Sequence, residues 1–165
     1  MRVLVFLRTI ICFLSCTAFA FAQELPVGAK AYVLMEAKTG QLLLTRNEND
    51  RLPPASTTKI LTAIMAIERG EVEKEIVVSS EAASVGEASI NLEAGEKISV
   101  LNLLKGALIK SGNDASHALA EYVGGTEELF LLLMNRKAKL LGAYNTTFYN
   151  ANGLPHQGHL SSAKD

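Results

Sequence analysis

Pro53-Pro54-Ala55-Ser56-Thr57-Thr58-Lys59-Ile60-Leu61-Thr62 is the stretch on which the reading of this chain turns. The proline pair stops any extended segment, because proline has no N–H to give a sheet. Beyond it Ile60, Leu61, Ile64 and Ile67 recur at helical spacing until Gly70 ends the pattern. A helix therefore starts near Ser56. Ser56 and Lys59, three apart at that start, share one face, so the hydroxyl lies within reach of the amine. A neutral lysine amine can take a serine proton if desolvation or a nearby positive charge lowers its pKa. The helix N-terminus adds backbone N–H groups that face developing negative charge. A plainer reading makes Ser56 a helix cap and Lys59 a solvated side chain. Ser-x-x-Lys alone is common by chance and does not choose between them.

Upstream, Lys30 to Met35 and Gln41 to Leu44 read as two strands of a hairpin, with Ala37-Lys38-Thr39-Gly40 as its turn and Gly40 free to take positive φ. Two strands are marginal alone, so more sheet is expected. Downstream, Glu75 to Ser79 reads as a short strand, and residues 80–98 as mixed turn and short helix broken at Gly86 and Gly95. Ser99 can cap a helix whose apolar face is Val100, Leu103, Leu104, Ala107 and Leu108. Ser111-Gly112-Asn113-Asp114 interrupts it. A second helix is expected from about Ala115 to Val123, broken by Gly124-Gly125, and a third, capped by Thr126, to about Leu141. Phe130 and Met134, four apart, belong in its core face. Gly142 to Gly158 should be irregular, and Ser161 could open another helix.

Ser111-Gly112-Asn113 stands at a helix break 55 residues after Ser56. A serine hydroxyl there can shuttle a proton, and an asparagine amide can hold both a lysine and a substrate carbonyl. The same residues also suit an ordinary cap or turn. Ser-x-x-Lys together with Ser-Gly-Asn is far more specific than either alone.

At this point the chain resembles the serine D-Ala-D-Ala carboxypeptidases, the low-molecular-mass penicillin-binding proteins. Pro54 to Thr62 is similar to their active-site region and Lys110-Ser111-Gly112-Asn113-Asp114-Ala115 to their second motif. Met35 to Gly40, Thr147 to Leu154 and Gly158-His159-Leu160-Ser161 resemble theirs in the same order. The resemblance implies the penicillin-recognising serine-hydrolase fold, α/β with a helical subdomain beside it. It implies Ser56 as acyl-ester nucleophile, Lys59 as its proton acceptor, and Ser111 and Asn113 on the opposite wall, Asn113 toward the substrate. It further implies a peptidoglycan pentapeptide ending in D-Ala-D-Ala as substrate, β-lactams as covalent inhibitors, and no metal or organic cofactor. The family's third motif, Lys-Thr-Gly or Lys-Ser-Gly on a later strand, has no counterpart. The only Lys-Thr-Gly is Lys38-Thr39-Gly40, in the hairpin turn. Residues 23–165 are therefore expected to be the N-terminal part of the peptidase domain, with the C-terminal strands missing and with any membrane association resting on the missing parts. This piece by itself is expected to be inactive. A serine β-lactamase of the same fold is the rival enzyme. Many of those carry Ser-Asp-Asn, however, and residues 142–165 contain no glutamate to serve deacylation. A non-catalytic wall-binding module is the rival of another class.

The first residues fit an exported chain. Residues 1–22 carry Arg2 and Arg8, are otherwise almost wholly apolar, and end in Ala20-Phe21-Ala22, the pattern of a cleaved signal peptide. A membrane anchor would use a run of similar length. Cys16 follows a poor lipobox. Cleavage after Ala22 removes both cysteines and leaves 143 residues with a formal charge of -3. Such a chain offers no disulfide, no thiolate metal site and no basic face for nucleic acid. His117 is expected to be a packed or surface histidine. His156 and His159 lack the acidic partners a metal would want. Asn150 and Asn152 read as turn formers, and Glu127 and Glu128 as favourable charges in a helix first turn.

Overall fold

The computed structural model describes residues 27–165; the expected signal peptide at residues 1–22 lies outside them. Strands β1 (Tyr32–Met35) and β2 (Leu42–Arg46) pair antiparallel, Tyr32 opposite Arg46 and Leu34 opposite Leu44. One carboxylate organises their turn. Glu36 accepts from the Thr39 hydroxyl at 2.7 Å and from the N–H groups of Lys38 and Thr39 at 3.0 and 2.6 Å. These bonds, the Thr39 hydroxyl first, hold its carboxyl below the usual range. Gly40 takes φ 72° and donates to the Glu36 carbonyl. Lys38-Thr39-Gly40 is thus a hairpin turn, as read from the sequence.

A short 3-10 turn (Ala55–Thr57) leads directly into α1 (Thr58–Glu68). The remaining helices are α2 (Ser80–Ser84), α3 (Val100–Ile109), α4 (Asn113–Gly124) and α5 (Glu127–Leu140), and β3 (Glu75–Val77) pairs antiparallel with β4 (Lys97–Ser99). Both expected caps form: Ser99 accepts from the Asn102 N–H and Thr126 from the Leu129 N–H, each at 3.3 Å. The strand β4 was not foreseen: Gly95 just before it and the helix cap Ser99 at its end let Lys97–Ser99 read as turn.

α4 lies at the centre. Its Ala115, Ala118 and Leu119 pack against Ala63 and Ala66 of α1 and Leu103, Leu104 and Ala107 of α3. A second cluster joins Met65, Ala120, Phe130, Met134, Ala138, Phe148 and Ala151. Alanine at so many contacts lets the helix axes approach closely, which holds the starts of α1 and α4 side by side. Of the apolar face expected on α3, only Leu108 is exposed. α1 is two-sided: Ala63, Met65 and Ala66 face these cores, whereas Ile60, Ile64 and Ile67 are 56%, 39% and 52% exposed.

Residues 142–158 are irregular, as expected. The chain then returns extended rather than helical. Ser161 exchanges backbone hydrogen bonds with Leu52 at 2.7 and 2.9 Å, and Leu160 pairs with Thr147. A helix from Ser161 cannot form while those groups serve the bridge. Among the described residues no helix is long and apolar enough to cross a membrane.

Candidate active site

Ser56, Lys59, Ser111 and Asn113 meet where α1 and α4 begin. Ser56 is exposed, in the turn that leads into α1; Lys59, one helical turn on, is only 2% exposed. The Lys59 amine donates to Ser56 Oγ at 3.1 Å, to Asn113 Oδ1 at 2.9 Å and to the Asn152 carbonyl at 2.6 Å. All three partners are uncharged. Burial accordingly pushes the Lys59 amine below the ordinary lysine range. In the neutral form the two carbonyl oxygens can take both N–H bonds. The nitrogen lone pair is then left facing the Ser56 hydroxyl, which is the geometry for proton abstraction.

Ser111 Oγ donates to Ser56 Oγ at 2.9 Å from the other side. Asn113 is 4% exposed, and its amide nitrogen gives one hydrogen to the Gly86 carbonyl at 3.1 Å, which orients Oδ1 toward Lys59. The second amide hydrogen remains for a ligand carbonyl.

Backbone strain accompanies both serines. Ala55 and Ser111 take φ 48° and 57°, in the left-handed region that alanine and serine disfavour by about 1–3 kcal/mol each. Their surroundings impose it. Gly153, at φ 88°, lies against the Ala55 carbonyl so closely that any Cβ there would collide with it. At the α3–α4 break the N–H of Gly112 returns to Gly106 O at 3.0 Å, and that of Asn113 bonds Ala88 O at 2.7 Å. Strain of this kind gathers where packing must aim a side chain against local preference.

Several contributors went unread in the sequence. Asp114 is fully buried and accepts from the Ser89 hydroxyl at 2.6 Å, from Leu92 N–H at 3.1 Å and from Ile90 N–H. Burial would raise its carboxyl, but these bonds outweigh it and hold the group below the usual range. It thereby moors segment 86–92 to the start of α4. The Asn152 carbonyl carried no signal, since every residue has one. Met134 and Phe130 are core residues, as expected. His117 lies largely buried between two glutamates, Nε2 3.4 Å from Glu121 and Nδ1 3.3 Å from Glu127. His156 and His159 bring no acidic cluster with them: among the described residues no group of three or more His, Cys, Asp or Glu is placed to hold a metal ion.

The family model for D-alanyl-D-alanine carboxypeptidase matches residues 18–165. The chain is 48% identical over 147 residues to the D-alanyl-D-alanine carboxypeptidase DacF of Bacillus subtilis, covering 86% of this chain and 38% of that protein. It is 40% identical over 163 residues to DacC of Escherichia coli, covering 90% and 41%. Among solved structures, the D-alanyl-D-alanine carboxypeptidase DacD from Francisella tularensis aligns with a TM-score of 0.81 at 42% identity, over 85% of this chain and 35% of that one. Penicillin binding protein 6B from Escherichia coli gives 0.80 at 33%, over 88% and 50%. The chain spans about two fifths of the length of the curated relatives DacF and DacC. With its hairpin, helical block and paired serines, it belongs to the D-alanyl-D-alanine carboxypeptidase family and carries the N-terminal portion of the penicillin-recognising serine-hydrolase fold.

Proposed function

We propose that the protein is an exported serine-type D-Ala-D-Ala carboxypeptidase acting on peptidoglycan stem peptides, with residues 1–22 as its cleaved signal peptide. The observation that carries this is the buried, uncharged setting of Lys59 beside the exposed Ser56 hydroxyl, at 3.1 Å. Ser56 Oγ attacks the carbonyl of the penultimate D-alanine while its proton passes to the Lys59 amine. The tetrahedral adduct collapses, the C–N bond breaks, and the leaving amine takes the Ser111 hydroxyl proton, which the Lys59 ammonium replaces, so that D-alanine departs and Lys59 is neutral again. Asn113 holds the substrate carbonyl on the opposite wall. Water then hydrolyses the acyl-enzyme at Ser56. A β-lactam enters the same path by opening its ring on Ser56.

The test is covalent labelling of the full-length protein with a fluorescent penicillin, alongside D-alanine release from a D-Ala-D-Ala peptide. Ser56→Ala should abolish both while leaving the fold intact, since an exposed serine contributes little packing. Lys59→Ala should slow acylation by about a hundredfold or more. Undiminished labelling of the Ser56→Ala protein would sink the reading.

A further inference from the structure

Behind the site lies a row of buried and half-buried polar groups that the acyl-transfer steps do not use. The Ser79 hydroxyl donates to Glu121 at 2.8–2.9 Å; Glu121 faces His117 Nε2; and His117 Nδ1 faces Glu127 Oε2. The other Glu127 oxygen accepts the N–H of Ala151 at 3.0 Å. The Ala151 carbonyl is held from α1 by the Thr62 hydroxyl at 2.7 Å. One residue further along, the Asn152 carbonyl meets the Lys59 amine at 2.6 Å.

We infer that Glu127 is a positioning residue for the reaction: clamped between His117 and the Ala151 amide, its carboxylate sets the Asn152 carbonyl against the Lys59 amine. A favourable charge in the first turn of α5 is not sufficient to explain it. Glu128 would satisfy the helix dipole equally and points to solvent, whereas the Glu127 side chain turns inward and is 22% exposed. Burial would raise its carboxyl, yet the bonds from His117 and Ala151 hold it below the usual range, so it is anionic at neutral pH. Glu127 in turn is the largest influence raising His117, assisted by Glu121, and the charge of His117 is felt by Glu81 in α2. The Asn152 carbonyl has two effects on Lys59. It fixes one N–H bond, so that the lone pair faces Ser56. It also favours the charged amine, opposing burial, and so helps set the pH at which Lys59 becomes a base.

This inference rests on the acyl-transfer reading above. The experiment follows acylation of the full-length protein by a fluorescent penicillin from pH 5 to 10. If wild type is not labelled, or Ser56→Ala is, the parent reading fails before Glu127 is tested. Given labelling, Glu127→Ala should acylate about tenfold slower or worse, because Lys59 is no longer aimed. Its acid limb should move to lower pH by roughly half a unit or more, because an acceptor that favoured the ammonium is lost. Glu127→Gln should stay near wild type in both, since its carbonyl oxygen still takes the Ala151 N–H. If Glu127→Ala does not fold, Glu127→Asp takes its place. The shorter side chain draws the carboxylate back from Ala151 and should slow acylation and shift the limb in the same directions. A folded Glu127→Ala or Glu127→Asp protein with wild-type rate and limb overturns the inference. So does a slowed variant whose acid limb has not moved, which would mark Glu127 as merely structural.

Discussion

His159 Nε2 lies 2.8 Å from Thr58 Oγ1, tying the irregular segment after α5 to the residue beside Lys59. Nδ1 of the same ring accepts the Tyr149 N–H at 3.1 Å, so the neutral ring carries its proton on Nε2 and donates to Thr58. The ring is 2% exposed and meets the Phe148 ring edge-on, with centroids 5.5 Å apart. A protonated ring would have no lone pair for Tyr149 and would bring a charge into a closed place.

Burial, assisted by the charge of His156, therefore holds His159 below its ordinary value of 6.5. The native state prefers the neutral ring more strongly than the unfolded chain does. Its stabilisation is complete above about pH 6.5 and is lost as pH falls through the lowered native value. Urea midpoints of the full-length protein should fall between pH 7 and 5 more steeply for wild type than for His159→Gln, which can keep both hydrogen bonds without titrating. Parallel pH profiles for the two proteins would show that His159 does not carry this acid sensitivity.

Asp114 is the second pivot. Its carboxylate satisfies Ser89, Ile90 and Leu92 together, and the segment it holds supplies Gly86 O to the Asn113 side chain and Ala88 O to the Asn113 N–H. Asp114→Ala leaves the buried Leu92 N–H and two part-buried donors unpaired and should cost about 2–3 kcal/mol, read from urea midpoints. Acylation should slow as well, because Asn113 loses the contacts that aim it. Asp114→Asn keeps one acceptor oxygen and should lose less on both measures. A change within about 0.5 kcal/mol for Asp114→Ala would rule out this mooring role.

What was legible in the sequence was local. Ser56 and Lys59 could be read because three residues at a helix start put two side chains on one face, whatever the rest of the chain does. Ser99 and Thr126 announced themselves as caps for the same reason. Ser111 and Asn113 were visible as residue types at a helix break, but not in their strained geometry. Nothing about alanine or serine signals φ 48° at position 55 or 57° at position 111; packing from Gly153 and the α3–α4 break produces it. The third acceptor for Lys59 is a backbone carbonyl 93 residues away, and no side-chain pattern can mark that. Asp114 was read only as part of the break at 111–114, and the helix expected at Ser161 gave way to a bridge with Leu52 that only tertiary contact reveals.

The apolar stripe on α1 yields the last prediction. Ile60 and Ile64 line one groove with Leu141, which is 63% exposed, and Ile67 is exposed one turn further along α1. Leu34, Met35 and Leu43 of the hairpin are more than half exposed too. Exposed apolar side chains in such number call for a covering element, and a two-stranded hairpin is marginal without a third strand or a helix face. Residues 23–165 expressed alone should therefore bind a hydrophobic dye, self-associate, show no cooperative melt by circular dichroism and release no D-alanine. Changing Ile60 and Ile64 to Ser in that polypeptide should reduce dye binding and association. In the full-length protein the same pair of changes should instead destabilise, by about 2 kcal/mol per site, if the stripe is buried there. Association falls in one context and stability in the other, which separates an uncovered stripe from a covered one. A cooperative melt of residues 23–165, with D-alanine release that vanishes on Ser56→Ala, would show that this surface needs no cover and that the helical block with its hairpin is a sufficient enzyme.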